Sequence, residues 1–258
     1  MRFLVILLLH ILISGCSDSS NKTSSGEQLG QKLSQYIAEQ KKSNKPINIK
    51  NRFGSNLHKI ILSNIDLSNV DLSDMDLSEA NISNCSFVKT NFRNTNIIKA
   101  TIHDSNFEDA DLSGVIAKNS DLQGSLFTDS ILTSADFSNA NLNDADFTGA
   151  ILNQTNFSYA LMSYITLSSA HGDNVNFKNT SLMYSTAINA KITNSNFLGA
   201  DLRKVNFEGS DLSGNYFESA DLSNANLENC KLDGATLEGA ITNNTNGLTP
   251  SIQLNKIQ

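Results

Sequence analysis

Every fifth residue from Leu57 to Leu237 is apolar, and 34 of these 37 positions hold Leu, Ile, Phe or Met. The exceptions are Ala117, Gly172 and Ala187, and the frame never slips along the whole stretch. In ADFSNANLNDADFTGAILNQTNF, residues 135–157, the apolar centres are Phe137, Leu142, Phe147, Leu152 and Phe157, with Ser, Asn, Asp and Thr filling most of the space between. An α-helix turns about 100° per residue, so a step of five would scatter these side chains around every side. A straight strand alternates faces, so an odd step would send successive centres to opposite sides. One continuous apolar interior therefore needs a bend in each repeat.

The residues for that bend are present. Eight glycines of the repeats, Gly114, Gly124, Gly149, Gly199, Gly209, Gly214, Gly234 and Gly239, stand two residues after a centre, and Asn holds twelve more such positions. These two residue types accept positive φ most readily. The residue two before each centre lies on the same side as the centre and is usually small, as at Ala135, Ala140, Ala145 and Ala150. Large and small side chains can then fill a narrow interior in alternate layers. Both prolines, Pro46 and Pro250, lie outside the repeats, as expected if the backbone N–H groups pair from coil to coil.

Sorting the centres by steps of 20 gives four rows. Ten of the eleven repeat phenylalanines fall in two alternate rows, Phe137, Phe157, Phe177, Phe197 and Phe217 in one and Phe87, Phe107, Phe127, Phe147 and Phe207 in the other; only Phe92 strays. Alternation of aromatic and aliphatic rows calls for an even number of sides, and four is the smallest that encloses a core. Ala110-Asp111-Leu112, Ala140-Asn141-Leu142, Ala200-Asp201-Leu202 and Ala220-Asp221-Leu222 resemble the A(D/N)LXX motif of the pentapeptide repeat family. The resemblance implies an all-β fold, a right-handed quadrilateral parallel β-helix with short capping helices, whose nine coils would make a rod about 43 Å long. It also implies that the Asp and Asn before each centre point outward.

Outside the repeats, the chain opens with one cation, Arg2, a short apolar run from Phe3 to Ile13, and then small residues. The run is too short to span a bilayer and reads as an export signal. Ile13-Ser14-Gly15-Cys16 resembles a bacterial lipobox, which implies cleavage after residue 15 and lipidation of Cys16; a plain secretory signal with an incidental Cys is the alternative. Ser17 after that Cys implies the outer membrane, facing the periplasm. The expected organisation is a signal peptide at 1–15, a flexible anchored linker at 16–26, an N-terminal helix and capping segment at 27–54, repeats at 55–241 and a capping tail at 242–258. In residues 27–42, Leu29, Leu33, Tyr36 and Ile37 recur at helical spacing, with Ser25 as the expected N-cap. That helix either covers the open end of the repeats or is marginal. In the tail, Thr249 and Pro250 read as the start of a closing helix.

Charge divides the chain. Residues 55–241 carry 10 Lys/Arg and 23 Asp/Glu, a net of −13, whereas residues 19–54 carry seven cations and two anions. An acidic rod repels nucleic acid and suits a basic partner. Members of the resembled family that imitate a DNA duplex protect DNA gyrase, which makes binding of such an enzyme the alternative function.

No catalytic, cofactor or metal constellation is expected, since His58, His103 and His171 are far apart and no phosphate-binding loop occurs. Cys85 and Cys230 occupy small interior positions and read as space-fillers. One region departs from the pattern. Gly172 and Ala187 underfill two centres, Ile165 and Val175 enlarge two small positions, and Tyr159, Leu161, Tyr164, Met183 and Tyr184 stand where outward Ser, Asn or Asp is usual. The five outward residues either seal a loosely packed coil or form a surface for a protein partner. The expected function is a lipid-anchored, non-catalytic binding or scaffolding rod.

Overall fold

The computed structural model describes residues 24–248. The signal segment, Cys16, Thr249 and Pro250 lie outside these described residues. From Asn56 onward each repeat pairs in parallel with the one twenty residues later, as in Asn141↔Leu161, Leu161↔Ser181 and Ser181↔Asp201. One coil is thus four five-residue sides. Leu57 N–H donates to Asp76 O at 2.7 Å and Asp76 N–H returns to Ser55 O at 2.8 Å, a pattern repeated along the stack.

The bend is local backbone chemistry. Every residue two after a centre, from Lys59 to Gly239, has φ between 50° and 72°. At most corners the next N–H closes a turn onto the centre's carbonyl, as Ala140 N–H does on Phe137 O at 3.0 Å. A second corner type replaces that bond with one to the next coil. Cys85 N–H donates to Ser105 Oγ at 3.3 Å, Val175 N–H to Ser195 Oγ at 2.9 Å and Ser195 N–H to Asn215 Oδ1 at 2.8 Å. The sides leading into these corners relax into three-residue strands.

These strands are β1 (Ile61–Ser63), β2 (Asn81–Ser83), β3 (Thr101–His103), β4 (His171–Asp173) and β5 (Lys191–Thr193). They pair in the orders β1-β2-β3 and β4-β5, always with a register of twenty.

The centres fill the interior. Phe87, Phe107, Phe127 and Phe147 stack ring on ring at 4.8–4.9 Å between centroids. A second stack runs from Phe137 through Phe157, Phe177 and Phe197 to Phe217 at 4.8–5.5 Å. The stacks meet edge to face inside the coil, as Phe147 and Phe157 do at 5.7 Å and 76°. Phe92 joins them edge-on to Phe87 at 5.0 Å. Each such pair contributes about 0.5–1.5 kcal/mol beyond the area it buries. Buried hydroxyls fill the small positions and donate to carbonyls of the preceding coil, as Thr155 Oγ1 does to Leu132 O at 2.8 Å.

The helix α1 (Ser25–Lys42) closes the first coil. Its N-cap is Ser24, not the expected Ser25, and it starts two residues earlier than the expected boundary at 27. The reason is a capping box that needs a carboxylate three residues on. Ser24 Oγ accepts from Glu27 N–H at 3.2 Å, and Glu27 Oε2 accepts from Ser24 N–H at 3.2 Å. Gly26, Gly30, Leu33 and Ile37 form the buried face. A Cβ on Gly26 or Gly30 would collide with the carbonyl oxygens of Lys59 and Ile61, so the two glycines let the helix backbone lie on the solenoid edge. A short helix, α2 (Ile49–Phe53), follows. Tyr36 Oη accepts from Asn48 N–H at 3.1 Å, and its ring meets Phe53 edge-on at 5.5 Å.

Candidate protein-binding surface

Asp and Asn before the centres point outward and serve the backbone first. Asp136 Oδ1 accepts from Ser138 N–H at 3.0 Å, and Asn156 Nδ2 donates to the same oxygen from the next coil at 3.1 Å. Burial pushes the Asp136 carboxyl up, but bonds from Ser138 and Lys118 outweigh it and hold it below the usual carboxylate range. Most of the surface is a ladder of this kind.

The side centred on Leu142, Met162, Leu182 and Leu202 interrupts it. Leu161, Tyr164, Met183 and Tyr184 lie on that side in two successive coils, and Tyr159 stands at the corner leading into it. Tyr159, Leu161, Tyr164 and Tyr184 are 53%, 53%, 60% and 42% exposed, while Met183 is half-buried. The Tyr164 and Tyr184 rings stack at 5.1 Å and 6°. Lys204, one coil further, places Nζ 4.8 Å from the Tyr184 ring centroid. Arg203 donates to both carboxylate oxygens of Asp201 at 2.8 and 2.7 Å and to Met183 Sδ at 3.2 Å; Asp201 raises its pKa. The apolar group is therefore edged by fixed cations on one side, and the exposed Asp144 occupies the Tyr164 position one coil earlier.

The backbone makes these tyrosines costly. Tyr159, Tyr164 and Tyr184 have φ of 61°, 62° and 60°, where Gly and Asn are favoured. A bulky side chain held there costs about 1 kcal/mol. Inside the same coils, the void at Gly172 is occupied, since a Cβ built there would stand 2.6 Å from Val175 Cγ2. The enlarged residue at 175 thus answers the missing one at 172.

Other functional candidates separate. His58 Nδ1 lies 3.0 Å from Ser78 Oγ, and His103 Nε2 lies 2.9 Å from Asp121 Oδ2 without hydrogen-bond geometry. Among the described residues no set of three His, Cys, Asp or Glu is placed to hold a metal, and no helix is long and apolar enough to cross a membrane. Cys85 and Cys230 are free thiols whose pKa burial raises, that of Cys230 to about 11. Sequence reasoning passed over Tyr216, 51% exposed, which lines a surface groove of about 510 Å³ with Asn176, Asn196 and Leu198. Its signal was an aromatic in the place of the usual Asp or Asn before a centre.

The family profile described as "Pentapeptide repeat region" matches residues 60–137 and 100–177, and that described as "Pentapeptide repeats (8 copies)" matches 181–214 and 216–246. The chain belongs to the pentapeptide repeat family. No curated protein matches it. Among solved structures it is similar to HetL, a pentapeptide repeat protein involved in heterocyst differentiation regulation in the cyanobacterium Nostoc. The identity is 29% over 81% of this chain and 90% of that one, with a TM-score of 0.44. Full-length QnrB1, a plasmid-mediated fluoroquinolone resistance protein, is 17% identical over 75% of this chain and 96% of its own, with a TM-score of 0.29. A pentapeptide repeat protein of the Arabidopsis thaliana thylakoid lumen is 25% identical over 41% of this chain and 67% of its own, with a TM-score of 0.21.

Proposed function

We propose that the protein is a non-catalytic rod, anchored by lipid on Cys16 in the bacterial envelope, that binds another protein through Tyr159, Leu161, Tyr164, Met183 and Tyr184. Right-handed winding and a place on the periplasmic side of the outer membrane are part of this reading. The observation that carries it is the set of three exposed tyrosines at φ near 60°. Asn or Gly is the commonest choice at those corners, and where others stand they are mostly Lys, Asp, Glu, Gln or Ser, so the aromatic rings are kept against local backbone preference, and strain of that kind gathers at functional surfaces. Exposed Tyr and Met are also what interfaces accumulate.

The test is the double variant Tyr164→Asn with Tyr184→Asn, which removes the rings and eases the backbone. It folds, and it loses the partner that the wild-type protein captures from envelope extracts; unchanged capture counts against the surface. The anchor has its own test, palmitate labelling and membrane fractionation, both of which Cys16→Ala abolishes. The net charge of −13 over residues 55–241 favours a second reading, in which the acidic sides bind a basic nucleic-acid enzyme such as DNA gyrase. Addition of the purified protein to a gyrase supercoiling assay at low salt decides it, and no effect removes it.

A further inference from the structure

We infer that the N-terminal end of the rod is a docking face for anionic phospholipid headgroups, an inference that rests on the lipid-anchor reading. Residues 24–54 hold six cations, and only two of them are spent on the rod. Lys41 pairs with Asp66, and Lys50 reaches Asp74 at 3.6 Å and Asp71 at 4.0 Å. Lys32, Lys42, Lys45 and Arg52 are exposed and join no ion pair among the described residues. Of the two acids of the segment, Glu27 closes the capping box, and Glu39, in the groove between the helices, accepts from Gln35 at 2.9 Å through Oε1.

Two of these cations, Lys32 and Arg52, edge a groove of mixed polar and apolar lining. Leu29, Tyr36 and Phe53, each half-buried, line this groove of about 490 Å³ between the two helices together with Gln35 and Glu39, and the Arg52 guanidinium lies 5.7 Å from the Phe53 ring centroid. Half-buried aromatic and aliphatic groups beside Lys and Arg are the composition that settles at a headgroup layer. Charge then selects the orientation. The sides of the rod, at −13, are repelled by an anionic surface, and the end carrying +4 is attracted, so the rod meets the bilayer end-on. Distance agrees. The described chain begins at Ser24 on this same end, and the eight steps from Cys16 to Ser24 span at most about 28 Å.

The experiment uses the acylated full mature chain in vesicles of phosphatidylcholine alone or of phosphatidylcholine with phosphatidylglycerol. Flotation reads the anchor, and acetylation of individual lysines, followed by mass spectrometry, reads the docking. The chain floats with both vesicles. Lys32, Lys42 and Lys45 acetylate roughly fivefold more slowly on the anionic vesicles, while Lys178, Lys191 and Lys231 are unchanged, and high salt restores the rates without releasing the chain. Flotation with equal acetylation on both vesicles overturns the docking and leaves the anchor standing. Failure to float with either overturns both.

Discussion

Val175 fills the space that Gly172 leaves: a Cβ placed on Gly172 would stand 2.6 Å from Val175 Cγ2 and 3.3 Å from Ile192 Cδ1. The pair keeps the stack filled where the frame loses its centre. Gly172→Ala alone overpacks the site and costs about 1–3 kcal/mol, and Val175→Ala alone opens a cavity at about the same cost. The double variant recovers at least ~1 kcal/mol of their sum. Equilibrium unfolding of the four proteins of the cycle checks this; strict additivity would mean the two residues do not share the space.

Gly30 sets how closely α1 lies on the solenoid. Its absent Cβ is what leaves room for the Ile61 carbonyl. Gly30→Ala raises helix propensity by about 1 kcal/mol, yet it lifts the helix off the edge, so the net effect is destabilising. Limited proteolysis then cuts residues 24–54 faster while the repeats stay resistant. Gln31→Ala, on the exposed side of the same turn, leaves the digestion pattern unchanged.

Asp66 ties that helix to the rod. Burial raises its pKa, but Lys41 and the Ser68 hydroxyl and N–H outweigh this and hold it at about 2. A carboxyl depressed in the folded state stabilises fully above its unfolded value, near 3.8, and its contribution is lost as pH falls toward the folded value. Melting temperature therefore stays level from neutral pH to about pH 5 and falls between about pH 4 and pH 2. Asp71, Asp76, Asp111 and Asp136 are lowered in the same direction and add to the fall. Asp66→Asn melts lower at neutral pH and loses part of the acid-dependent drop; an unchanged drop would show that Asp66 does not carry it.

Tyr159 stands alone at its corner, without the ring partner that Tyr164 and Tyr184 provide each other. Tyr159→Asn relieves the backbone at φ 61° and raises the melting temperature by about 2–4 °C. Tyr184→Asn gives less, because it also discards the stack with Tyr164 and the Lys204 contact. Calorimetric melts separate the two, and a fall for Tyr159→Asn would contradict the strain.

The five-residue frame made the fold legible. Phe137, Leu142, Phe147 and Leu152 could share one interior only if the chain bent between them, and the two Phe rows already showed four sides. The compensation of Gly172 by a larger neighbour was readable as a change of residue size, and the surface as a change of residue type. One feature was not readable that way. Gly26 and Gly30 stand four apart in α1, but only the carbonyls of Lys59 and Ile61, remote in sequence, show what the spacing is for. The corner at residue 159, two after the centre Phe157, was by contrast readable as a bend, and the stack shows that it takes φ 61° with a Tyr in place of Asn or Gly.

The most direct measurement places a photo-crosslinking amino acid at position 164 in living cells, with position 123 on the same side two coils earlier as the control. The account predicts one discrete adduct at 164, reproduced from 159 and 184 and absent at 123. No adduct at 164, or the same adducts at 164 and 123, would contradict it.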